Sequence, residues 1–536
     1  MKKTLYSLLI GALMTTASCS GEMDEKHENP DAFTKTKIEY LFAQGAVNTL
    51  VIDYGDTYTY NFNLLGIIMQ TTATQEGKDR INTYQNYSDD WRRWDNYYIN
   101  RMNTLTEIDK VYASLSPEEQ GEYKIYVMAN KVLKAYNTAM ATDFFGNMPY
   151  SEAFTARNPV YNTGDVIFRP KYDKQQDIYY SILADLEEAG DYFKTASTNA
   201  TFQRQDVVYS GDCALWSKFA NSLRLRYAMR ISNVDVAKAK SVLQDLKISD
   251  LITKNADNTY LKVSGIETAP NNAIWRAFAE CHDGGRNWMY APELMVNLMT
   301  EAEDPRIPVF FQNGANKEGK FPGTSKEILP YPSSADDAIE LGSNPPEGGV
   351  FGTYGTYNYV TFRNNYYLPI GVATTAAETY FCLAEAAQRG LISGNAAEYY
   401  NKGIIASVQT YYDFYKNSTD KSKDPEIANT DVSDAALSAW LNNSSFKFNP
   451  AKALEQIATQ KWMHLNFMQI YENWAEYRRT DYPILLDDRE NGELLNKQNA
   501  PVRLLYPASE ASMNTDNYNA EAANNKLNAR LWWDVK

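Results

Sequence analysis

Residues 90–112 read DWRRWDNYYINRMNTLTEIDKVY, and residues 116–140 read SPEEQGEYKIYVMANKVLKAYNTAM. In the first stretch the large apolar side chains are Trp91, Trp94, Tyr98, Met102, Leu105, Ile108 and Val111. Steps of three and four residues put them on one stripe of an α-helix. The second stretch opens on Ser116-Pro117-Glu118-Glu119, a helix start with acid in its first turn, and continues the pattern through Tyr126, Ala129, Leu133, Tyr136 and Met140. Two such helices joined by a short turn pack antiparallel. Similar pairs recur at 173–195 with 211–231, 374–390 with 395–414, and 433–442 with 451–478. The expected fold is therefore mainly α, a tetratricopeptide-like stack of helical pairs.

One region does not fit the stack. Residues 249–370 hold 10 of the 20 prolines and 11 of the 27 glycines, with clusters such as Asn344-Pro345-Pro346 that cannot lie inside a helix. The expectation is a long irregular insertion, and ligand-binding residues tend to sit on such insertions.

The composition bounds what the chain can be. With 10 Trp, 21 Phe and 40 Tyr in 536 residues it is too rich in large side chains for a solvated coil. A formal charge of -15 and no dense Lys/Arg stripe argue against a nucleic-acid partner. No apolar run approaches the ~18 residues of a spanning helix.

At the start, Lys2 and Lys3 precede an apolar run from Leu5 to Met14, the layout of a secretory signal peptide over 1–18. Thr16-Ala17-Ser18-Cys19 resembles a bacterial lipoprotein processing site, with Thr16 where leucine is usual. Cys19 is the expected lipidation site, and each buried acyl CH₂ stabilises attachment by roughly 0.8 kcal/mol. Residues 19–32 read as an acidic tether and 33–536 as one domain. Cys213, Cys281 and Cys382 give neither a disulfide framework nor metal spacing and are expected as small buried hydrophobes.

Five further stretches point to a family. AMATDFFGNMPYSEA (139–153), Asp304-Pro305-Arg306, TYFCLAEAAQRG (379–390), QKW (460–462) leading to NWAEYRRTDYP (473–483), and RLLYP (503–507) with Asn514 and Asn517-Tyr518-Asn519 follow one another along the chain. Together they resemble the SusD/RagB-type nutrient-binding lipoproteins. The resemblance implies a lipid-anchored, cell-surface protein of the outer membrane. Such a protein captures oligosaccharides, or in some members peptides, and delivers them to a SusC-like TonB-dependent barrel transporter. Most of these motif residues read as structural: Asp143, Phe145, Gly146 and Pro149 end a helix and turn the chain, while Trp474 and Tyr477 pack in the core.

The ligand would bind where exposed aromatic faces meet hydrogen-bonding neighbours, because stacking buries apolar C–H surface and polar groups fix orientation. Two segments have that composition, DRINTYQNY (79–87) and WRAFAECHDGGRNWMY (275–290). By resemblance they occupy the places where this family builds its ligand site. The expected contacts are Arg80, Tyr84, Tyr87, Trp91, Trp275, Phe278, Arg286, Trp288 and Tyr290, whereas Trp94 and Tyr98 belong to the core stripe.

Catalytic signatures are missing from the sequence. It has three histidines, His27, His282 and His464, and His464 reads as packed or partner-facing rather than as a base. Cys281-His282-Asp283 places neighbours side by side, which seldom makes a nucleophile–base pair. Asp487 begins a run like a calcium loop, but Arg489 and Gln498 stand at ligand positions. No cofactor and no metal are expected, and the expected role is binding rather than catalysis. The alternative of a membrane-anchored hydrolase would need two carboxylates some 5–10 Å apart in a cleft.

Overall fold

The computed structural model describes residues 36–51, 53–62, 64–73, 91–155, 166–261, 274, 276–278, 290–313, 328–331, 354–486 and 501–535. The leader, Cys19 and the tether lie outside them, as do Cys281, His282 and the 487–498 run.

The chain is mainly helical, as its period requires. Helix α1 spans Ile38–Leu50, α2 Met102–Ala113 and α3 Pro117–Phe145. Next come α4 (Gln175–Thr195), α5 (Cys213–Ile231) and α6 (Val236–Asp245). The insertion contributes α7, Glu293–Glu301. The stack resumes with α8 (Ala376–Gln388), α9 (Ala396–Lys416), α10 (Asp434–Leu441), α11 (Ala453–Leu465) and α12 (Ile470–Thr480). Helices α2 and α3, α4 and α5, and α8 and α9 pack as the expected pairs. Short antiparallel strands pair β1 (Met148–Pro149) with β2 (Tyr172–Asp173), β3 (Thr259–Leu261) with β6 (Gly371–Thr374), and β4 (Phe311–Gln312) with β5 (Thr356–Tyr357). Among the described residues no helix is long and apolar enough to cross a membrane.

The start and end of α3 follow from its sequence. Ser116 accepts from the Glu119 backbone N–H while the Glu119 side chain reaches back to the Ser116 N–H, with Pro117 in the first turn. The helix stops at Gly146, whose φ is 74°.

Two expected helices are interrupted. Between Trp91–Asp95 and α2 the backbone forms a π-helical stretch, Asn96–Arg101. The wider turn brings Tyr97 inward beside the striped Tyr98, so that Tyr97 meets Thr138 Oγ1 at 3.1 Å and Tyr98 donates to the Pro149 carbonyl at 2.6 Å. The helix expected over 451–478 is two helices, α11 and α12. Asn466 breaks it with φ 47°, a backbone that Asn tolerates better than most residues. Asn473 Nδ2 then donates to the carbonyls of Trp462 and Asn466, at 3.2 and 3.3 Å, and holds the corner.

Inside the stack lies a cluster of charge. Arg226 binds Glu378 at 2.5 Å, Arg230 binds Glu472 at 2.6 Å and Glu476 at 3.2 Å, Lys461 binds Glu476 at 3.1 Å, and Arg479 binds Glu385 at 2.6 Å. Burial alone would raise the Glu476 carboxyl, but Arg479, Lys461 and Arg230 outweigh it and hold it well below the usual range. For Glu472 burial wins, and its carboxyl is raised. The family-like motifs supply much of this cluster. Asp304 and Arg306 form a fully buried pair at 2.5 Å, and Arg306 also reaches Gln460 at 2.8 Å. Trp474 is buried and Tyr477 half-buried against the core. Cys382 is buried, and burial pushes its thiol up to about 12; Cys213 is half-buried.

Candidate functional site

The described residues that flank the two candidate segments meet. Ala73, the last described residue before 74–90, forms an antiparallel bridge with Tyr290, the first after 279–289. Tyr290 in turn bridges Thr356 at the start of β5. Insertion and stack are pinned together there. Tyr357 Oη donates to the Thr71 carbonyl at 2.5 Å and lies 2.7 Å from Asn466 Oδ1, while Trp462 Nε1 donates to the Met69 carbonyl at 2.8 Å. Gln70 and the Leu486 backbone exchange two further bonds, at 2.7 and 3.1 Å. These bonds fix the described residues on either side of the two segments.

The opposite ends converge as well. Half-buried Tyr54 and Tyr58 stand with ring centroids 5.7 Å apart and planes tilted by 35°. The exposed Arg276 lays its guanidinium 4.1 Å over the Tyr54 ring. Exposed Arg92 packs against Gly55, where a Cβ would come within 2.3 Å of its Nη1.

Two of the expected contacts are core residues. Phe278 is 1% exposed and packs edge-on against Phe62 at 5.5 Å and Phe467 at 6.0 Å. Tyr290 is 0% exposed and stacks on Tyr331 at 4.5 Å and 10°, with Tyr354 edge-on to Tyr331 at 5.3 Å. Neither offers a face to a ligand. Their burial could not be read from the sequence, because a Pro/Gly-rich stretch has no period from which to tell an inward ring from an outward one. Trp91 opens the helical turn Trp91–Asp95; its side chain, and all of Arg80, Tyr84, Tyr87, Trp275, Arg286 and Trp288, lie outside the described residues. Trp94, as expected, is core, edge-on to Phe145 at 5.1 Å. Sequence reading passed over Tyr54, Tyr58 and Arg92. The available signal was the i, i+4 tyrosine pair beside Gly55.

The buried carboxylates of the charge cluster, Glu378, Glu385, Glu472 and Glu476, are ion-paired to arginine or lysine. Asp143 and Glu472 adjoin a partly open cavity of ≈ 50 Å³. Both are ion-paired to Arg230. His464 is 3% exposed, with Nε2 2.7 Å from Thr375 Oγ1 and Nδ1 3.0 Å from Ser407 Oγ. Burial lowers its pKa to about 3, so it is neutral and packed. Among the described residues no group of three His, Cys, Asp or Glu side chains could hold a metal ion.

This combination of helical pairs and an irregular face has relatives. The family model described as "Starch-binding associating with outer membrane" matches residues 30–507. The chain belongs to the SusD-like family. A solved chitin-binding protein is 24% identical with a TM-score of 0.70, covering 93% of this chain and 100% of its own. A chitin-binding SusD homolog from Flavobacterium johnsoniae is 24% identical with a TM-score of 0.67, over 93% and 99%. A SusD homolog from Bacteroides uniformis gives the same four values. No curated protein matches the chain.

Proposed function

We propose that the protein is a lipid-anchored outer-membrane binding subunit, exposed on the cell surface, that captures oligosaccharides and passes them to a SusC-like TonB-dependent transporter. Membership in a family described as starch-binding carries the reading. The bridge between Ala73 and Tyr290, which joins the described residues flanking 74–90 and 279–289, supports it. Arg80, Tyr84, Tyr87, Trp91, Trp275, Arg286 and Trp288 are the proposed contacts, and Cys19 the proposed anchor. The protein binds without chemistry, and its ligand leaves unchanged.

Electrophoresis of the chain through gels carrying soluble starch or glycol chitin tests this. Retardation by a polysaccharide, relieved by Trp275→Ala or Trp288→Ala, is expected. Unretarded migration in every gel, with heat of binding only for peptides, would move the ligand class. In cells, labelling by a fatty-acid analogue that vanishes in Cys19→Ala, and co-purification of a barrel transporter, are expected.

A further inference from the structure

The start of α12 carries a second feature, independent of the glycan reading. Met468, Gln469, Tyr471 and Glu472 line the partly open cavity of ≈ 50 Å³, where α12 meets Arg101 of the π-helical stretch, α3 and α5. No side chain caps this 11-residue helix. The N–H groups of its first turn lack an intrahelical acceptor and carry the positive end of the helix dipole.

Charge around the cavity is unbalanced in the same sense. Arg101 is 8% exposed, yet its Nη1 donates only to the Met140 thioether, at 3.4 Å. Asp56 Oδ2, its nearest carboxylate oxygen among the described residues, is 4.0 Å away, and Arg93 sits closer to that side chain. Arg478 donates to the carbonyls of Trp474, Asp143 and Val502, at 3.2, 2.8 and 2.8 Å, rather than to a carboxylate. Burial lowers the pKa of both guanidinium groups, that of Arg478 to about 9. The two carboxylates at the cavity are committed elsewhere. Glu472 binds Arg230 at 2.6 Å, and Asp143 accepts from Tyr179 at 2.5 Å and Trp533 at 2.8 Å. Tyr227 and Gln469 also line the cavity, 3% and 7% exposed, and neither side chain makes a hydrogen bond among the described residues.

A buried cation without a counter-ion and buried polar groups without partners each cost free energy. One negatively charged guest that accepts hydrogen bonds relieves both. Its size is bounded as well. The cavity exceeds the about 10–15 Å³ that one water needs and falls well short of the about 150 Å³ that admits benzene, so a sugar ring does not fit. Its charge is bounded because a second negative charge would meet Asp143 and Glu472.

We infer that this cavity binds a small inorganic monoanion, about the size of chloride, held by Arg101, Tyr227, Gln469 and the first turn of α12. Bound there, the anion ties the π-helical stretch to the last helix of the stack.

Two measurements on the full-length chain test this. Crystals soaked in sodium bromide should show an anomalous peak in the cavity, within hydrogen-bond reach of Arg101 and Gln469. Thermal melts in buffers that exchange gluconate, too large to enter, for chloride at constant ionic strength form the second arm, with general screening held fixed. The melting temperature should rise with the logarithm of chloride concentration above a threshold, as linkage to one site requires. Arg101→Gln should raise that threshold roughly tenfold, and Tyr227→Phe, which removes one hydroxyl and keeps the ring, about threefold. Water density in the cavity without a bromide peak would overturn the inference. So would a melting temperature indifferent to the exchange, which would make any bromide there an adventitious ion only. A chloride dependence that Tyr227→Phe and Arg101→Gln both leave unchanged would overturn it too. If Arg101→Gln fails to fold, Tyr227→Phe and the bromide peak still decide.

Discussion

His464 offers a sharp test of the packed interior. It sits between Thr375 and Ser407, its two ring nitrogens each within hydrogen-bond reach of a hydroxyl. Burial lowers its pKa from 6.5 to about 3; Glu378 works to raise it, and Arg306 and Lys461 lower it further. With the folded pKa depressed, the unfolded chain binds the proton first. The stability contributed by the neutral imidazole is therefore complete above pH 6.5 and is lost as pH falls toward 3. Going from pH 7.5 to pH 5.0, the unfolded chain takes up nearly one proton that the folded chain refuses, which costs about 2 kcal/mol. Carboxylates that titrate on the way to pH 5.0, Glu472 with its raised value among them, do so in wild type and variant alike and cancel in the comparison. The assay is guanidinium denaturation of wild type and His464→Gln at both pH values, since Gln keeps one donor and one acceptor but does not titrate. The wild-type advantage over the variant should shrink by about 2 kcal/mol at pH 5.0. Parallel loss of stability in the two proteins would refute a neutral, solvent-excluded His464.

Three further outcomes are expected of the scaffold. Arg230→Met leaves Glu472, Glu476 and Asp143 short of a cation in the interior, and should cost roughly 3–5 kcal/mol by denaturant titration. Gly371→Ala would place a Cβ 2.0 Å from the Leu50 carbonyl oxygen where β6 passes α1; it should destabilise by about 1–3 kcal/mol and lower the melting temperature. Ser116→Ala removes one half of the capping box on α3 and should cost about 1 kcal/mol, read by the same melt.

How far the sequence reaches differs between the two halves of the molecule. The helical pairs were legible because their apolar residues repeat every three or four positions, and caps such as Ser116 and a stop such as Gly146 mark the ends. The break at Asn466 was not, since an apolar stripe continues across it and only the φ of 47° reveals the corner. The interior charges were also hidden. Helix α5 buries Arg224, Arg226 and Arg230 along with its apolar residues, so a stripe count assigns those arginines to solvent, when partners distant in sequence, such as Glu378 and Glu472, hold them inside. In the insertion the aromatic composition singled out a segment, but composition cannot orient a ring. Phe278 and Tyr290 turned inward, while Tyr54 supplied a half-buried face that the sequence did not single out.

The central claim is that this SusD-like chain binds glycan and leaves it intact. Isothermal titration of the chain with a panel of neutral and acidic oligosaccharides, followed by chromatography of the recovered sugar, measures both halves at once. The account predicts saturable heat with at least one oligosaccharide, lost in Trp275→Ala or Trp288→Ala, and a sugar recovered at its original length. Shortened products, or heat that both tryptophan variants retain in full, would contradict it.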